Sequence, residues 1–250
     1  MSPNLRFHAL RGLVIGVLAC VCLSQVHAQS TPSLTGDVGV AMYRTPAITK
    51  STAHSNVMLP YVYADIGPLY ARVDTFGYKV MPMGAGHLEV ATRLSFEGYQ
   101  SEIAGINQRP RPKPIGLGTF QETSYGAFFV YAFRDATSGG SLLDVSYAAE
   151  IALGNLRVYP QFGVERRDRK YVANLYGIDT VESQRSGLAL YDAGTSTSPN
   201  AAIAMEYPLA DRLKLTFQLR KRWLDESIYK SPLVNVRQQT SSFIALSQTF

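Results

Sequence analysis

The sequence predicts an all-β chain, a transmembrane antiparallel β-barrel of 10–12 strands behind an N-terminal signal peptide. Three observations carry that prediction. Apolar and polar residues alternate with a period of two over segments of about ten residues, the length a tilted strand needs to cross a bilayer. After the first 28 residues no stretch reaches the run of about 18 apolar residues that a membrane-spanning helix needs. The sequence closes on Phe243 to Phe250, an alternating stretch with a terminal aromatic, which is expected to act as a barrel-assembly signal. Composition agrees: the 250 residues are 46% hydrophobic and 17% charged, with a mean hydropathy of -0.03. That excludes a polytopic helical membrane protein, and Leu, Val, Phe and Tyr are too frequent for a disordered chain.

The first element is residues 1–28, read as the signal peptide. Arg6, His8 and Arg11 form a positive start, Gly12 to Leu23 an uncharged apolar run, and Val26-His27-Ala28 the small-residue cleavage site. A lipoprotein signal at Leu18-Ala19-Cys20 fits less well, because it leaves Val21-Cys22-Leu23 apolar just after the lipidated cysteine. The second unit is residues 29–250, the barrel. Cleavage removes Arg6 and Arg11 and no acid, so the net charge falls from +5 to +3, too mild to argue for nucleic acid. Both cysteines, Cys20 and Cys22, leave with the signal, which excludes a disulfide or a thiolate site in the barrel.

Ten strands are read directly: 34–43, 56–66, 68–78, 87–98, 121–134, 141–152, 155–166, 200–209, 212–222 and 241–250. Leu213, Leu215, Phe217 and Leu219, interleaved with Lys214, Thr216, Gln218 and Arg220, show the pattern. A soluble β-sandwich hides such an apolar face in a core, whereas a barrel turns it to lipid. Tyr61, Tyr63, Tyr70, Tyr78 and Tyr207, near segment ends, read as interfacial girdles and favour the barrel. Counted back from the C-terminus, Ala210-Asp211, Gly154 and Gly67 fall on tight periplasmic turns, and 167–199 and 223–240 on outer loops. Residues 99–120 break this parity. They are long and carry Arg109-Pro110-Arg111-Pro112-Lys113-Pro114. The plainer reading places two further strands here, giving twelve, with the stretch in an outer loop. The other makes it a basic periplasmic finger, with Arg109, Arg111 and Lys113 meeting an acidic partner.

The catalytic inventory is thin, and the chain reads as non-enzymatic, with no catalytic residue, cofactor or metal site. Residues 29–250 hold two histidines, His54 and His87. His54 sits beside Ser51 and Ser55, but no third group orients it and there is no Gly-x-Ser-x-Gly elbow. Gly116-Leu117-Gly118 and Gly84-Ala85-Gly86 lack the third glycine of a dinucleotide fingerprint. The alternation points Glu89, Arg93, Glu97, Asp144, Glu150, Arg157, Glu165, Lys214, Arg220 and Arg222 into the lumen. Such charges either line a pore or neutralise one another as a plug. A barrel this narrow favours a sealed lumen.

A set of phrases in order along the chain resembles the MipA/OmpV family of outer-membrane proteins. They are Leu59-Pro60-Tyr61-Val62, Gly116-Leu117-Gly118-Thr119 with Gln121-Glu122-Thr123, Tyr159-Pro160-Gln161, Tyr171 to Ile178, Ser186-Gly187-Leu188 with Tyr191, Ser231-Pro232-Leu233-Val234 and Phe250. The resemblance covers about residues 56–250. Members usually end in Tyr-x-Phe, and Gln248 takes the tyrosine's place here, which is expected to weaken assembly without changing the fold. The resemblance implies a monomeric Gram-negative outer-membrane barrel in contact with outer-membrane lipid. It also implies a scaffold for a periplasmic murein transglycosylase and a murein synthase, and no catalytic residues to carry over. The alternatives are a narrow pore for small solutes and, more weakly, a lipid-modifying enzyme using His54.

Overall fold

A computed structural model describes residues 33–51 and 56–250; the signal peptide reading and His54 lie outside the described residues. Residues Leu34–Phe250 form one unit. In chain order the strands are β1 (Leu34–Arg44), β2 (Asn56–Ile66), β3 (Leu69–Arg72), β4 (Thr75–Met83), β5 (Gly86–Arg93), β6 (Pro114–Thr123) and β7 (Gly126–Asp135). They continue as β8 (Ser141–Ala149), β9 (Ile151–Leu153), β10 (Leu156–Arg167), β11 (Ser196–Ala210), β12 (Leu213–Trp223) and β13 (Gln238–Thr249). Three short helices, α1 (Arg169–Tyr176), α2 (Thr180–Ser186) and α3 (Glu226–Tyr229), lie in the loops.

All strand pairs are antiparallel. β8 and β9 both pair with β10 and are two pieces of one barrel strand interrupted at Glu150, so the wall has twelve strands. The sheet closes on itself because β1 pairs with β13, from Asp37 opposite Thr249 to Arg44 opposite Ser242. Closure leaves no edge with unpaired N–H and C=O groups, a condition for standing in hydrocarbon.

The expected twelve strands are present, but the two that the ten-strand reading missed are not both in residues 99–120. One is β6. The other arises because 68–78 is not one strand: the chain reverses at Val73-Asp74, with Arg72 paired to Thr75. An even strand count puts both chain ends of the barrel at one end, together with the turns 67–68, 84–85, 124–125, 154–155 and 211–212. The long connections 45–55, 94–113, 168–195 and 224–237 gather at the other end. In barrels of this kind short turns face the periplasm, so the proline- and base-rich stretch lies in an outer loop.

The outward face is apolar along its length, with Met42, Met58, Val90, Ile115, Leu117, Phe128, Phe162, Ile203, Ile244 and Leu246 all exposed. A continuous belt of this kind is a membrane-facing surface rather than a set of stray apolar residues. Of the five tyrosines read as girdle residues, Tyr78 and Tyr207 do face outwards. Tyr61, Tyr63 and Tyr70 do not: Tyr61 and Tyr70 are buried in the lumen, and Tyr63, opposite Asp37 with the Arg72 guanidinium over its ring, shares their inner face. The positions of Tyr61 and Tyr70 in the two-residue alternation, opposite Gly39 and Gly77, put them on the inner face.

Candidate functional site

Paired polar side chains project into the lumen at several levels along its length. Near the short turns, Lys214 Nζ donates to Asp37 Oδ2 at 3.0 Å and Thr249 Oγ1 to Asp37 Oδ1 at 2.6 Å. Arg72 and Lys79 both reach Asp65, at 2.8 and 3.3 Å. Midway, the buried Glu89 carboxylate accepts from Tyr70 Oη at 2.5 Å and Tyr131 Oη at 2.8 Å. His87 Nε2 lies 2.7 Å from Glu89 Oε1 without an aligned hydrogen bond, so that contact becomes an ion pair only when the imidazole is protonated. Among the described residues no cluster of three or more His, Cys, Asp or Glu suits a metal ion.

Towards the long loops the charges close into a quartet. Arg167 donates to Glu97 at 3.0 Å and Glu165 at 2.6 Å, and Arg222 reaches the same two carboxylates at 2.9 and 3.3 Å. Beside it Arg93 donates to Asp144 at 2.5 Å. Two arginines facing two carboxylates neutralise each other, and their forked N–H groups fix the geometry. A cavity of about 240 Å³ remains against the quartet, lined also by Tyr43, Tyr99, Tyr176 and Arg220.

Above the quartet the outer loops form a lid with its own core. Tyr171, Val172, Leu175 and Tyr176 of α1 pack with Ile48, Leu224, Ile228 and Val234, all buried, and the cluster runs on into Phe133, Tyr131 and Leu142 of the barrel. α1 starts where Asp168 accepts from the Tyr171 N–H, and α2 where Asp179 and Glu182 form a reciprocal capping box. Loop 94–113 is strapped across these helices. Tyr99 Oη donates to the Leu175 carbonyl at 2.6 Å, and Arg109 donates to the Gly177 carbonyl at 2.7 Å and to Glu182 at 2.8 Å. The Asn107 N–H adds a bond to Glu182 Oε1 at 2.9 Å, and Ser231 Oγ ties α3's loop to the Tyr176 carbonyl at 2.6 Å. Burial pushes the Glu182 carboxyl up, but the bonds from Arg109 and the Asn107 N–H outweigh it and hold it below the usual carboxylate range. The same balance holds for Glu97, raised by burial and pulled down further by Arg167 and Arg222.

The sequence-predicted residues separate clearly. Glu89, Arg93, Glu97, Asp144, Glu165, Lys214 and Arg222 do meet in the lumen, and Glu150 and Arg157 form an exposed pair at the short-turn end. Arg109, Arg111 and Lys113 lie in the outer loop. Arg109 is spent on the lid, whereas Arg111 and Lys113 are exposed. Phe250 sits at the closing seam, its N–H donating to the Gly36 carbonyl at 2.9 Å. Sequence reading missed Arg167 by starting an outer loop there; its odd number, in step with inward-facing Glu165, is the signal that finds it. It missed Glu182 as well, and the Asp179-x-x-Glu182 capping box marks that one.

The family model described as "MltA-interacting protein MipA" matches residues 38–250. The chain belongs to that family. Among curated proteins, the outer membrane protein YiaT of Escherichia coli (strain K12) is 23% identical over 194 residues, covering 74% of this chain and 78% of the relative. The MltA-interacting protein of the same strain is 24% identical over 234 residues, covering 90% of this chain and 93% of the relative. Among solved structures, the outer membrane channel DcaP of Acinetobacter baumannii matches with a TM-score of 0.32 at 12% identity, over 84% of this chain and 62% of that one. A loop-deletion form of OmpT from Vibrio cholerae matches at 0.36 and 5%, over 88% of this chain and all of that one. With its closed twelve-strand sheet, its family, and relatives named as outer-membrane proteins, the chain is an outer-membrane β-barrel protein, as the sequence predicts.

Proposed function

We propose that this chain is a non-enzymatic, monomeric barrel that is anchored in outer-membrane lipid and scaffolds murein-remodelling enzymes, a lytic transglycosylase and a synthase, on the periplasmic side. The observation that carries the reading is the filled lumen of a member of the MltA-interacting protein family: a barrel plugged by the Arg167–Arg222–Glu97–Glu165 quartet and capped by a packed lid is built to stand rather than to conduct. The relative called MltA-interacting protein supports the partner class by its name. The surface left for such partners is the short-turn end, above all the turns at 124–125, 154–155 and 211–212. Tyr125 there is 79% exposed.

A pull-down from detergent-solubilised envelopes with the tagged protein tests the reading. Recovery of a murein transglycosylase and a synthase, lost when Tyr125 and Arg212 are replaced by alanine, is the expected result. Recovery of neither enzyme, from envelopes shown to contain both, contradicts it. The alternative of a narrow solute pore is favoured by the 240 Å³ cavity beneath the lid, and single-channel recording separates the two.

A further inference from the structure

The outer wall holds a pattern that the lumen does not explain. Strand register fixes which side chains face outwards, and along all the described strands just four of those are charged: Arg44, Arg134, Arg166 and Lys221. All four are basic, and no carboxylate faces outwards on any strand. Each lies within three residues of the long-loop end of its strand. The wall at the short-turn end carries only uncharged residues, such as Ile66, Leu69, Met83, Leu153 and Leu213. Inside the barrel the opposite rule holds, since nearly every cation there has a carboxylate. An unpaired charge on the lipid face is tolerated at the interface far better than at the bilayer midplane. Tolerance does not explain why only cations occur, and only at one rim.

Two of the four border a built groove. Ile115, Leu117, Ala132 and Leu143 form the walls and floor of an outward groove of about 590 Å³, with Arg134 and Arg166 at its upper edge. The small Ala132 side chain, placed between Leu117 and Leu143, makes the dip. Arg134 stands opposite Ser141 and Arg166 opposite Leu143, so the two are two strands apart, roughly 10 Å of sheet, within reach of one headgroup. Neither makes an ion pair among the described residues; the single polar contact of Arg134 is a long one, to Ser141 Oγ at 3.4 Å. The one carboxylate beside the groove, Asp168, is occupied in capping α1. Guanidinium forks match phosphate bidentately, and their apolar stems lie along the wall while the heads reach the interface.

We infer that this groove on β6–β10 is a binding site for a phosphate-bearing glycolipid of the outer leaflet: the phosphate sits between Arg134 and Arg166, and an acyl chain lies over Ala132 between Leu117 and Leu143. The site is independent of any periplasmic partner. It places a specific lipid at one sector of the rim, against the lid that α1 begins.

Native mass spectrometry of the full-length protein in detergent, titrated with bis-phosphorylated lipid A and with the same glycolipid freed of phosphate, tests this. The expected result is one retained phosphorylated molecule, at least tenfold weaker retention of the dephosphorylated form, and a similar loss in Arg134→Ala/Arg166→Ala. Arg44→Ala, at the rim but four strands away from β10, is expected to retain the lipid. Ala132→Phe fills the groove while keeping both charges, and is expected to lose the adduct; it serves also if the double variant does not assemble. Equal retention of the two glycolipids overturns the proposal. So does full retention in Ala132→Phe, or a loss in Arg44→Ala as large as in the double variant, which marks a diffuse charge effect of the whole rim.

Discussion

The two ends of this barrel are built differently. At the short-turn end, five two-residue turns join the strands, and Glu150–Arg157 is an exposed pair. At the long-loop end, helices α1 and α3 share a buried core, Ile106, Ile178 and Leu233 form a second cluster, and a charge quartet and a strap held by Arg109 and Glu182 of α2 complete the lid. Both ends terminate the same closed sheet, so the wall itself does not require the lid. The contrast shows where the chain has placed its extra residues: into the loops over the lumen at one end, leaving the other as short turns below an uncharged outward wall. Changes at the loop end should therefore be costly, and changes at the turn end should register in partner capture rather than in stability.

The largest effect is expected at the quartet. Arg167→Ala leaves Glu97 and Glu165 buried with Arg222 alone, and an uncompensated buried charge typically costs about 3–5 kcal/mol. Guanidinium unfolding of the protein in lipid vesicles measures it, and a loss under about 1 kcal/mol would mean that water reaches the quartet freely. Next is the lid core. Leu175 is fully buried, and Leu175→Ala should cost about 2–5 kcal/mol of local stability, seen as faster hydrogen exchange in α1 with unchanged exchange in β12. Equal acceleration in both would break the contrast, making the lid and wall one cooperative unit.

The wall comes third. Phe162, mid-strand on β10 and 65% exposed, faces lipid, so Phe162→Arg should cost about 2–4 kcal/mol. Arg166→Leu, four residues nearer the rim, should change stability little, and equal effects at the two positions would contradict the membrane placement.

A smaller, pH-dependent effect follows from Glu182 and Glu97. Both carboxyls are held below their ordinary values, so their stabilisation is present at neutral pH and above the unfolded value. It is lost as pH falls through the lower folded values, below about 4. A thermal-melting series should show the lid loosening only in that acid range, and loosening between pH 5 and 7 would reverse the sign. Smallest of all, Arg157→Ala at the turn end should leave the melting temperature unchanged, because both partners of that pair are solvated.

The legibility of the sequence follows the same division. Where a strand has one face to lipid and one to a polar lumen, its residues alternate, and β1, β2, β5, β8, β10, β12 and β13 are readable for that reason. β6 escapes because its inward positions from 114 to 120 are Pro114, Gly116, Gly118 and Phe120, and a polar one comes only with Glu122 at its end. A Cβ on Gly118 would stand 2.0 Å from the Tyr131 ring, so the glycine lets that ring lie across β6 along the inner wall to reach Glu89, which faces Gly118 on β5. The β3–β4 reversal escapes because its turn carries Val73 at φ 64, a β-branched residue in the left-handed region, with no Gly or Asn to announce it. The lumen ions are readable one by one, but their pairing is not, since it joins residues up to 177 positions apart, as Lys214 and Asp37 are. The lid is the least legible: its loops fold against one another and the barrel mouth, contacts distant in sequence, and the capping residues Asp168 and Asp179 are the local trace they leave.

The sealed lumen is the central claim, and planar-bilayer recording of the intact, purified protein tests it most directly. The account predicts no single-channel steps at either polarity at neutral pH, from protein whose folded state is confirmed by heat-modifiable migration on gels. Steady, reproducible unitary currents from the same preparation would contradict it.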